Sequence, residues 1–155
     1  MPGMNTHRRV GGALGLAYAA YHARDLGPQP FAFESLGGLV GGVIGGSVPD
    51  VVEPAISSWH RSTAHSWALG GTAVASVQKV EQWALAMRPP VRVIPAGLVQ
   101  RPTVPVASSP QFTWEMAIGH FLSGFLRGLL VGYISHLALD AGTKRGLPLL
   151  GGGCQ

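Results

Sequence analysis

Charged residues are scarce in this chain of 155 residues, since Asp, Glu, Lys and Arg together make up only 12% of it. Ordinary soluble domains carry about 25%, so little of this surface is built to face water. Hydrophobic residues make up 46%, and the mean hydropathy of +0.27 lies between that of a soluble domain and that of a polytopic membrane protein. The composition favours a membrane or a large buried interface as the surroundings of the chain.

Cysteine is almost absent, because Cys154 beside the C-terminus is the single one. One cysteine excludes an intramolecular disulfide framework and a thiolate zinc cage. Any metal must therefore be held by histidine and carboxylate side chains. The length sets a second limit, since 155 residues suffice for one domain with a real core but not comfortably for two.

The positive charge is small and scattered. The formal net charge is +4, and Arg8-Arg9 and Lys144-Arg145 are the only adjacent basic pairs. A nucleic-acid surface needs Lys and Arg interleaved with aromatics on one stripe, which this sequence lacks, so we predict no nucleic-acid partner. Basic residues beside apolar segments fit anionic lipid headgroups instead.

Helical patterning dominates the chain and predicts an all-α fold. We expect a compact, membrane-associated bundle of four main helices at residues 9–23, 35–47, 62–87 and 113–141. Pro49 ends the second helix, Ser62 or Thr63 caps the third, and Gly142 stops the fourth. Six prolines make residues 88–111 an extended excursion, either a lid or arm for a partner or a plain connection. Residues 147–155 form a Gly-rich tail of the same single domain, poorly ordered unless docked.

Glycine recurs every four residues in the second predicted helix, in two adjacent rows. The rows are Gly37, Gly41 and Gly45, then Gly38, Gly42 and Gly46. In water each helix-interior glycine costs about 1 kcal/mol relative to alanine. In a membrane the same spacing is a close-packing face, because glycine lets two backbones approach. We therefore predict a glycine zipper, with an irregular glycine loop as the alternative.

Long apolar runs are few. A membrane-spanning helix needs about 20 apolar residues, and only residues 117–141 reach that length, while carrying His120, Arg127, His136 and Asp140. Ionisable groups at membrane depth are costly and usually functional. We predict a bundle partly sunk in the membrane. The run at residues 10–21 behind Arg8-Arg9 also has the pattern of a signal peptide.

Histidine and aspartate pairs are the candidate metal ligands. His136 and Asp140 stand four residues apart, so on a helix both side chains leave one face and can share a divalent cation; a surface hydrogen bond is the alternative. His60 and His65 converge only if His60 precedes the start of its helix. Asp50 follows Pro49 on a loop after the glycine helix, with Glu53 three residues on.

Four motifs in order carry a resemblance to a known family. They are Thr6-His7, Val48-Pro49-Asp50, His60-Arg61-x-x-x-His65-Ser66, and Gly132-Tyr133-x-Ser135-His136-x-x-x-Asp140 with Thr143-x-x-Gly146-x-Pro148-Leu149-Leu150. Together they resemble the small membrane-bound metal-dependent hydrolases of the bacterial inner membrane, also described as LexA-binding. The pattern is also similar to zinc-dependent phospholipase C, an all-helical fold with clustered zinc.

The resemblance implies a metal site and a reaction. Its ligands would be His7, Asp50, His60, His65, His136 and Asp140, and Zn²⁺ is the ion expected first, with Mn²⁺ or Fe²⁺ as alternatives. It implies hydrolysis of a phosphoester such as a lipid headgroup, with Asp50 or Glu53 as general base and Arg61 stabilising the developing charge. Membrane lipid and other membrane proteins are the expected partners.

The sequence also departs from the family pattern. Val52 and Glu53 stand where the family has Asp and His, and Ala64 stands where it has Thr. One ligand is therefore missing or replaced by Glu53. A second hypothesis follows: a non-enzymatic membrane subunit that keeps the fold, with or without a structural metal. A soluble helical binding module is the third.

The remaining polar and aromatic residues are expected in structural roles. His22 ends the first helix near its C-terminal dipole, and His120 faces the core or the site. Asp25 and Glu34 read as solvated loop charges. Core or interfacial-belt positions fit the four tryptophans: Trp59, Trp67, Trp83 and Trp114.

Overall fold

The computed structural model of the chain describes residues 3–52, 66–89 and 112–142. Within these ranges the protein is helical and contains no strand, which confirms the all-α prediction. Its helices are α1 (Met4–Ala23), α2 (Pro28–Gly45), α3 (Val48–Val52), α4 (Trp67–Ala75), α5 (Val77–Met87) and α6 (Trp114–Ala141).

The long helices alternate in direction. Gly11 and Gly15 of α1 approach Gly132 and Gly128 of α6 in that order, so α1 runs antiparallel to α6. The helix α2 runs antiparallel to α1 and parallel to α6, while α4 and α5 together run antiparallel to α6. We call the end where α1 begins and α6 ends the upper end, and the opposite end the lower end. The result is a bundle of four helical elements, of which the third in chain order is broken into the two helices α4 and α5.

The glycine helix packs closely on both sides, as its spacing predicts. A Cβ on Gly37, Gly41 or Gly45 would meet main-chain atoms of α6. A Cβ on Gly42 would meet the backbone of Gly11 in α1. These glycines lie in a helix and not in the irregular loop of the alternative reading. Close approach of α1, α2 and α6 therefore requires glycine on this face.

Two helix starts differ from the prediction. The helix α2 begins at Pro28, seven residues before the predicted start at Ser35, and α1 begins at Met4 instead of Arg9. Proline is tolerated in the first turn, because the N–H groups there have no partner within the helix. Pro28 and Pro30 thus lie in the first turn of α2, before the start that the sequence predicted.

The predicted third helix is broken in its described part. It bends at Ser76, between α4 and α5, where the Ser76 hydroxyl donates to the Thr72 carbonyl at 2.8 Å. The Thr72 hydroxyl donates in turn to the Ala68 carbonyl, and such back-bonding bends helices. Ser66 caps α4 by accepting the Leu69 N–H, whereas the predicted caps Ser62 and Thr63 lie outside the described residues.

The last helix agrees with the prediction. Thr113 caps α6 by accepting the Met116 N–H, and Gly142 follows its end. Of the Pro-rich excursion only Arg88 and Pro89 belong to the described chain. Its remainder and the Gly-rich tail lie outside it.

The interior is polar and the exterior is apolar. In the described ranges, buried hydrophobic side chains are limited to Ala19, Ala23, Ala84 and Leu137. The buried polar and charged side chains are more numerous: His7, Glu34, Ser35, Ser47, Ser66, His120, Ser123, Arg127, Ser135, His136 and Asp140. Large apolar side chains lie instead on the outside of the bundle.

Two helical stretches are long and apolar enough to cross a membrane, namely Pro28–Val52 and Trp114–Ala141. The sequence predicted only the second of these as long enough, because the predicted start of the glycine helix lay too far along the chain. Core helices of soluble proteins meet the same criterion. Trp67, Trp83 and Trp114 are at least half exposed, so a core position is wrong for these three. An interfacial-belt position remains open to them, and Trp59 lies outside the described residues.

Candidate metal centre

Three lines of residues at intervals of four converge on the upper end. Small residues fill the middle of each line. Polar residues stand at both ends of the lines in α2–α3 and α6, and at the start of the line in α1. The lines are His7-Gly11-Gly15-Ala19-Ala23 in α1, Glu34-Gly38-Gly42-Gly46-Asp50 along α2 and α3, and His120-Gly124-Gly128-Gly132-His136-Asp140 in α6. Because the small residues bring the three helices together, the polar residues at the upper end meet in one place.

Four predicted ligands meet there: His7, Asp50, His136 and Asp140. His7 Nε2 lies 3.4 Å from Asp140 Oδ1, and His136 Nε2 lies 3.6 Å from Asp140 Oδ2. His136 Nε2 also lies 3.7 Å from Asp50 Oδ1. One ligand atom from each of His7, Asp50 and His136 lies within 4.8 Å of the other two. The fold thus brings His7 and Asp140 together although they lie 133 residues apart in the sequence.

The orientation of His136 is set by the end of α2. Its Nδ1 lies 2.8 Å from the carbonyl oxygen of Gly46, the residue that follows α2. A carbonyl oxygen only accepts, so Nδ1 must carry the proton and donate it. The metal-binding lone pair of the neutral ring is then on Nε2, which faces the carboxylates. Histidine ligands in metal sites are commonly oriented in this way.

The position of His7 depends on the same glycine. A Cβ on Gly46 would meet the carbonyl oxygen of His7, so only glycine lets α1 approach α2 here. The His7 and His136 rings stack with their centroids 3.8 Å apart and their planes inclined by 22°. Both Nε2 atoms face the carboxylate of Asp140.

Burial differs among the four side chains. His7, His136 and Asp140 are at most 2% exposed, whereas the Asp50 side chain is 22% exposed. Asp50 lies on the short helix α3, which corrects the expectation of a loop. The centre is therefore enclosed by α1, α2 and α6 and reaches the surface beside Asp50.

The donor set fits a divalent cation. Ligand atoms about 2.0–2.1 Å from an ion in tetrahedral geometry lie roughly 3.4 Å apart. The three observed separations of 3.4, 3.6 and 3.7 Å are close to that value. Two imidazoles and two carboxylates suit Zn²⁺, Mn²⁺ and Fe²⁺. The 3.4 and 3.6 Å separations end on different oxygens of Asp140, and the group that could hold an ion is His7, Asp50 and His136, each with one ligand atom within 4.8 Å of the other two.

The other predicted site residues lie outside the described part of the chain. They are Glu53, His60, Arg61 and His65.

A second buried polar cluster lies toward the lower end, and the sequence reading missed it. Glu34 was taken for a solvated loop charge, which is wrong: it belongs to α2 and is fully buried. Arg88 donates to both its carboxylate oxygens at 2.7 and 2.8 Å, and Arg127 donates to one at 3.0 Å. His120 Nδ1 lies 2.9 Å from Glu34 Oε1, so His120 faces the core rather than the metal centre. We call these residues, with Glu81, the Glu34 cluster.

Glu81 extends the cluster to α5, and Arg127 Nε donates to both its carboxylate oxygens. His22 lies in the last turn of α1, as expected, with its Nδ1 3.8 Å from Glu81 Oε2. Asp25 is exposed, as expected. One signal pointed to the cluster: Arg127 was recognised as an ionisable residue in an apolar helix. Its partner was missed because α2 was begun one residue after Glu34.

Comparison with protein-family models, curated proteins and solved structures finds no match for this chain.

Proposed function

We propose that this protein is a membrane-embedded, metal-dependent hydrolase acting on a phosphoester. The convergence of His7, Asp50, His136 and Asp140 in one buried site carries the proposal. The motif resemblance described above supports the reaction class. Neither the identity of the ion nor that of the substrate follows from the geometry, and Zn²⁺ is chosen for the donor types.

The roles of the residues follow from their burial. His7, Asp50, His136 and Asp140 would hold the ion, which would lower the pKa of a bound water toward ~7 and polarise a phosphoryl oxygen. Asp50, the most exposed of the four, is placed to accept a proton from the attacking water. The water oxygen bonds to phosphorus, the ester P–O bond breaks, and the departing alkoxide takes up that proton. Glu53 as alternative base and Arg61 as charge stabiliser remain predictions.

The inverted distribution of side chains supports the membrane part of the proposal. Lipid tails are as apolar as leucine, so helices in a bilayer associate through small and polar residues. This bundle buries glycine, histidine, arginine and carboxylates and exposes leucine, valine and tryptophan. A bacterial inner-membrane location is proposed from the resemblance.

The test measures metal content and phosphodiesterase activity on the same preparations. The wild type should bind a divalent metal and cleave a chromogenic phosphodiester, and His136→Ala should lose both. His22→Ala is the matched control, because His22 is a histidine far from the upper end. Metal in the wild type without activity on any phosphodiester would reject the hydrolase. Equal metal content in wild type and His136→Ala would reject the site.

A non-enzymatic membrane subunit with a structural metal is the second candidate. Val52 favours it, because an exposed valine stands where the related pattern has an aspartate. In that case His136→Ala would lose the metal and the folded bundle together. The hydrolase predicts instead that the variant stays folded, because the glycine packing does not involve the ion.

A further inference from the structure

The turn that joins α2 to α3 touches the elements that carry His7, Asp50 and His136. It consists of Gly46 and Ser47, which we call the α2–α3 junction. The Gly46 carbonyl accepts from His136 Nδ1 at 2.8 Å, and a Cβ on Gly46 would meet the carbonyl oxygen of His7. Asp50 follows Ser47 by three residues. The junction therefore lies among the three residues whose ligand atoms come together.

Asp50 is the least enclosed of these three residues. Its side chain is 22% exposed, whereas His7 and His136 are at most 2% exposed. It belongs to α3, a helix of five residues in which Pro49 is the buried residue. Isolated helices shorter than about 12–15 residues are marginal, so α3 cannot fix its own conformation. The position of Asp50 consequently depends on contacts from outside α3, and those of the α2–α3 junction are the nearest along the chain.

Ser47 bonds to three helices at once. Its N–H donates to the Ile44 carbonyl at 2.8 Å, in the last turn of α2, and its carbonyl accepts the Val51 N–H of α3 at 3.1 Å. Its hydroxyl donates to the Val43 carbonyl at 2.7 Å. The hydroxyl oxygen thus keeps its lone pairs for a donor, and Arg8 Nε of α1 donates to it at 3.1 Å.

Arg8 extends this connection to the first metal ligand, because it directly follows His7 in α1. Its bond to Ser47 joins residues 39 positions apart. Arg8 also lines a groove together with Val43 and Val51, so its apolar stem lies along residues on both sides of the α2–α3 junction. One hydrogen bond therefore connects the neighbour of His7 with the residue from which the helix of Asp50 starts.

We propose that Arg8 and Ser47 are positioning residues of the metal centre, which hold α3 so that Asp50 faces His7 and His136. This inference rests on the metal centre of the proposed function and adds two residues that contact neither the ion nor a substrate. The charge of Arg8 makes the role testable by sign. A guanidinium near a bound cation repels it, so by charge alone the loss of Arg8 would tighten metal binding. Loss of a positioning contact weakens metal binding instead.

The first test measures the affinity of the full chain for Zn²⁺ by isothermal titration in detergent. Ser47→Ala and Arg8→Met should each bind Zn²⁺ about 10-fold more weakly, the lower range for altered groups around a metal. The double variant should also lose about 10-fold and not about 100-fold, because both changes remove the same hydrogen bond. Ser47→Thr keeps the hydroxyl and should bind like the wild type. Ser35→Ala is the matched control, since Ser35 has the same 8% exposure in α2 but lies toward the lower end.

The second test needs no metal and follows backbone hydrogen exchange in the metal-free protein by mass spectrometry. Ser47→Ala and Arg8→Met should speed the exchange of α3 amides, such as that of Val51, while α6 amides keep their rates. Tighter Zn²⁺ binding by Arg8→Met, additive losses in the double variant, or unchanged exchange in α3 would overturn the inference. Failure of the hydrolase proposal is visible separately, as a wild type that binds Zn²⁺ but leaves a phosphodiester uncleaved.

Discussion

At the scale of single residues, Asp140 links the two imidazoles of the upper end. Its Oδ1 approaches His7 and its Oδ2 approaches His136. Because its side chain is buried, its negative charge requires compensation, which a divalent cation held between Asp140 and the two neutral imidazoles would supply. His136 is further fixed by Gly46. The site therefore depends on one carboxylate that both histidines share.

The first prediction follows from this shared carboxylate. Asp140→Asn keeps the size of the side chain and removes its charge, so metal affinity should fall at least ~10-fold, the lower range for altered groups around a metal. Isothermal titration with Zn²⁺ measures the change. Asp25→Asn is the control, because Asp25 is exposed on the loop after α1. Equal affinities for the two variants would mean that Asp140 takes no part in metal binding.

The second prediction concerns Glu34, whose carboxylate accepts from two arginines. Glu34→Gln removes the buried counter-charge of Arg88 and leaves Arg127 with Glu81 alone, and breaking a buried ion pair from one side costs ~3–5 kcal/mol. We expect that loss in the free energy of unfolding, measured by denaturant titration in detergent micelles. Glu115→Gln, at an exposed position in the first turn of α6, should change it by less than ~0.5 kcal/mol. A loss below ~1 kcal/mol for Glu34→Gln would show that the cluster does not stabilise the bundle.

The residue types and their spacing in the sequence predicted part of the site. The His136/Asp140 spacing predicted a shared face because both belong to one helix. Asp50 and His7 were added by motif order, since no local pattern joins residues of three different helices. Glu34 was missed because the predicted second helix started one residue after it. Its partners Arg88, which follows α5, and Arg127 of α6 also lie far along the chain.

At the scale of elements, the glycine spacing has consequences that differ from helix to helix. A Cβ on Gly42 would meet backbone atoms of α1, while a Cβ on Gly71 of α4 meets nothing within 4 Å. Backbone atoms yield less readily than the tip of a side chain. Equivalent alanine substitutions at the two positions should therefore have opposite effects.

The third prediction uses this pair. Gly42→Ala should lower the free energy of unfolding by ~1–3 kcal/mol or more, as overpacking does. Gly71→Ala should raise it by up to ~1 kcal/mol, because alanine is the better helix former. Thermal melts of both variants in one detergent provide the comparison. If Gly42→Ala proved neutral, α1 and α2 would not be in the close contact described here.

Element boundaries were less predictable than element types. The start of α6 was marked by Thr113 and its end by Gly142, residues that act locally as caps. The start of α2 was hidden by prolines that a first turn accepts. The bend at Ser76 depends on hydroxyl bonds to carbonyls four residues earlier, and serine and threonine make such bonds only in some helices. Capping residues can thus be recognised in a sequence, whereas prolines accepted in a first turn and a helix interruption at a serine cannot.

At the scale of the whole molecule, three exposed aromatic side chains lie near the two ends of the bundle, while Trp83, 51% exposed, lies between them. Trp114 and Tyr21 are 70% and 61% exposed and lie near the lower end, where α6 begins and α1 ends. Trp67 is 51% exposed and lies at the start of α4 near the upper end. Tryptophan and tyrosine are enriched at the two interfaces of a membrane. In the membrane arrangement proposed above, the metal centre would lie close to one interface, at the depth of lipid headgroups.

The last prediction is membrane attachment by burial and not by charge. The exposed apolar side chains of α1, α2 and α6 cannot be covered within the described bundle, so the protein should sediment with membranes and need detergent for extraction. Salt distinguishes the two modes, because at 1 M the range of electrostatic attraction shrinks to about 3 Å. A protein attached through Arg8 and Arg9 alone would then leave the membrane, whereas a protein whose helices are buried in the bilayer would stay. We expect the membrane fraction to retain the protein after washes with 1 M salt and with alkaline carbonate.

Recovery of folded monomer in the wash without detergent would reject membrane embedding. It would leave the metal centre untouched, because its four ligands are held by contacts among α1, α2, α3 and α6.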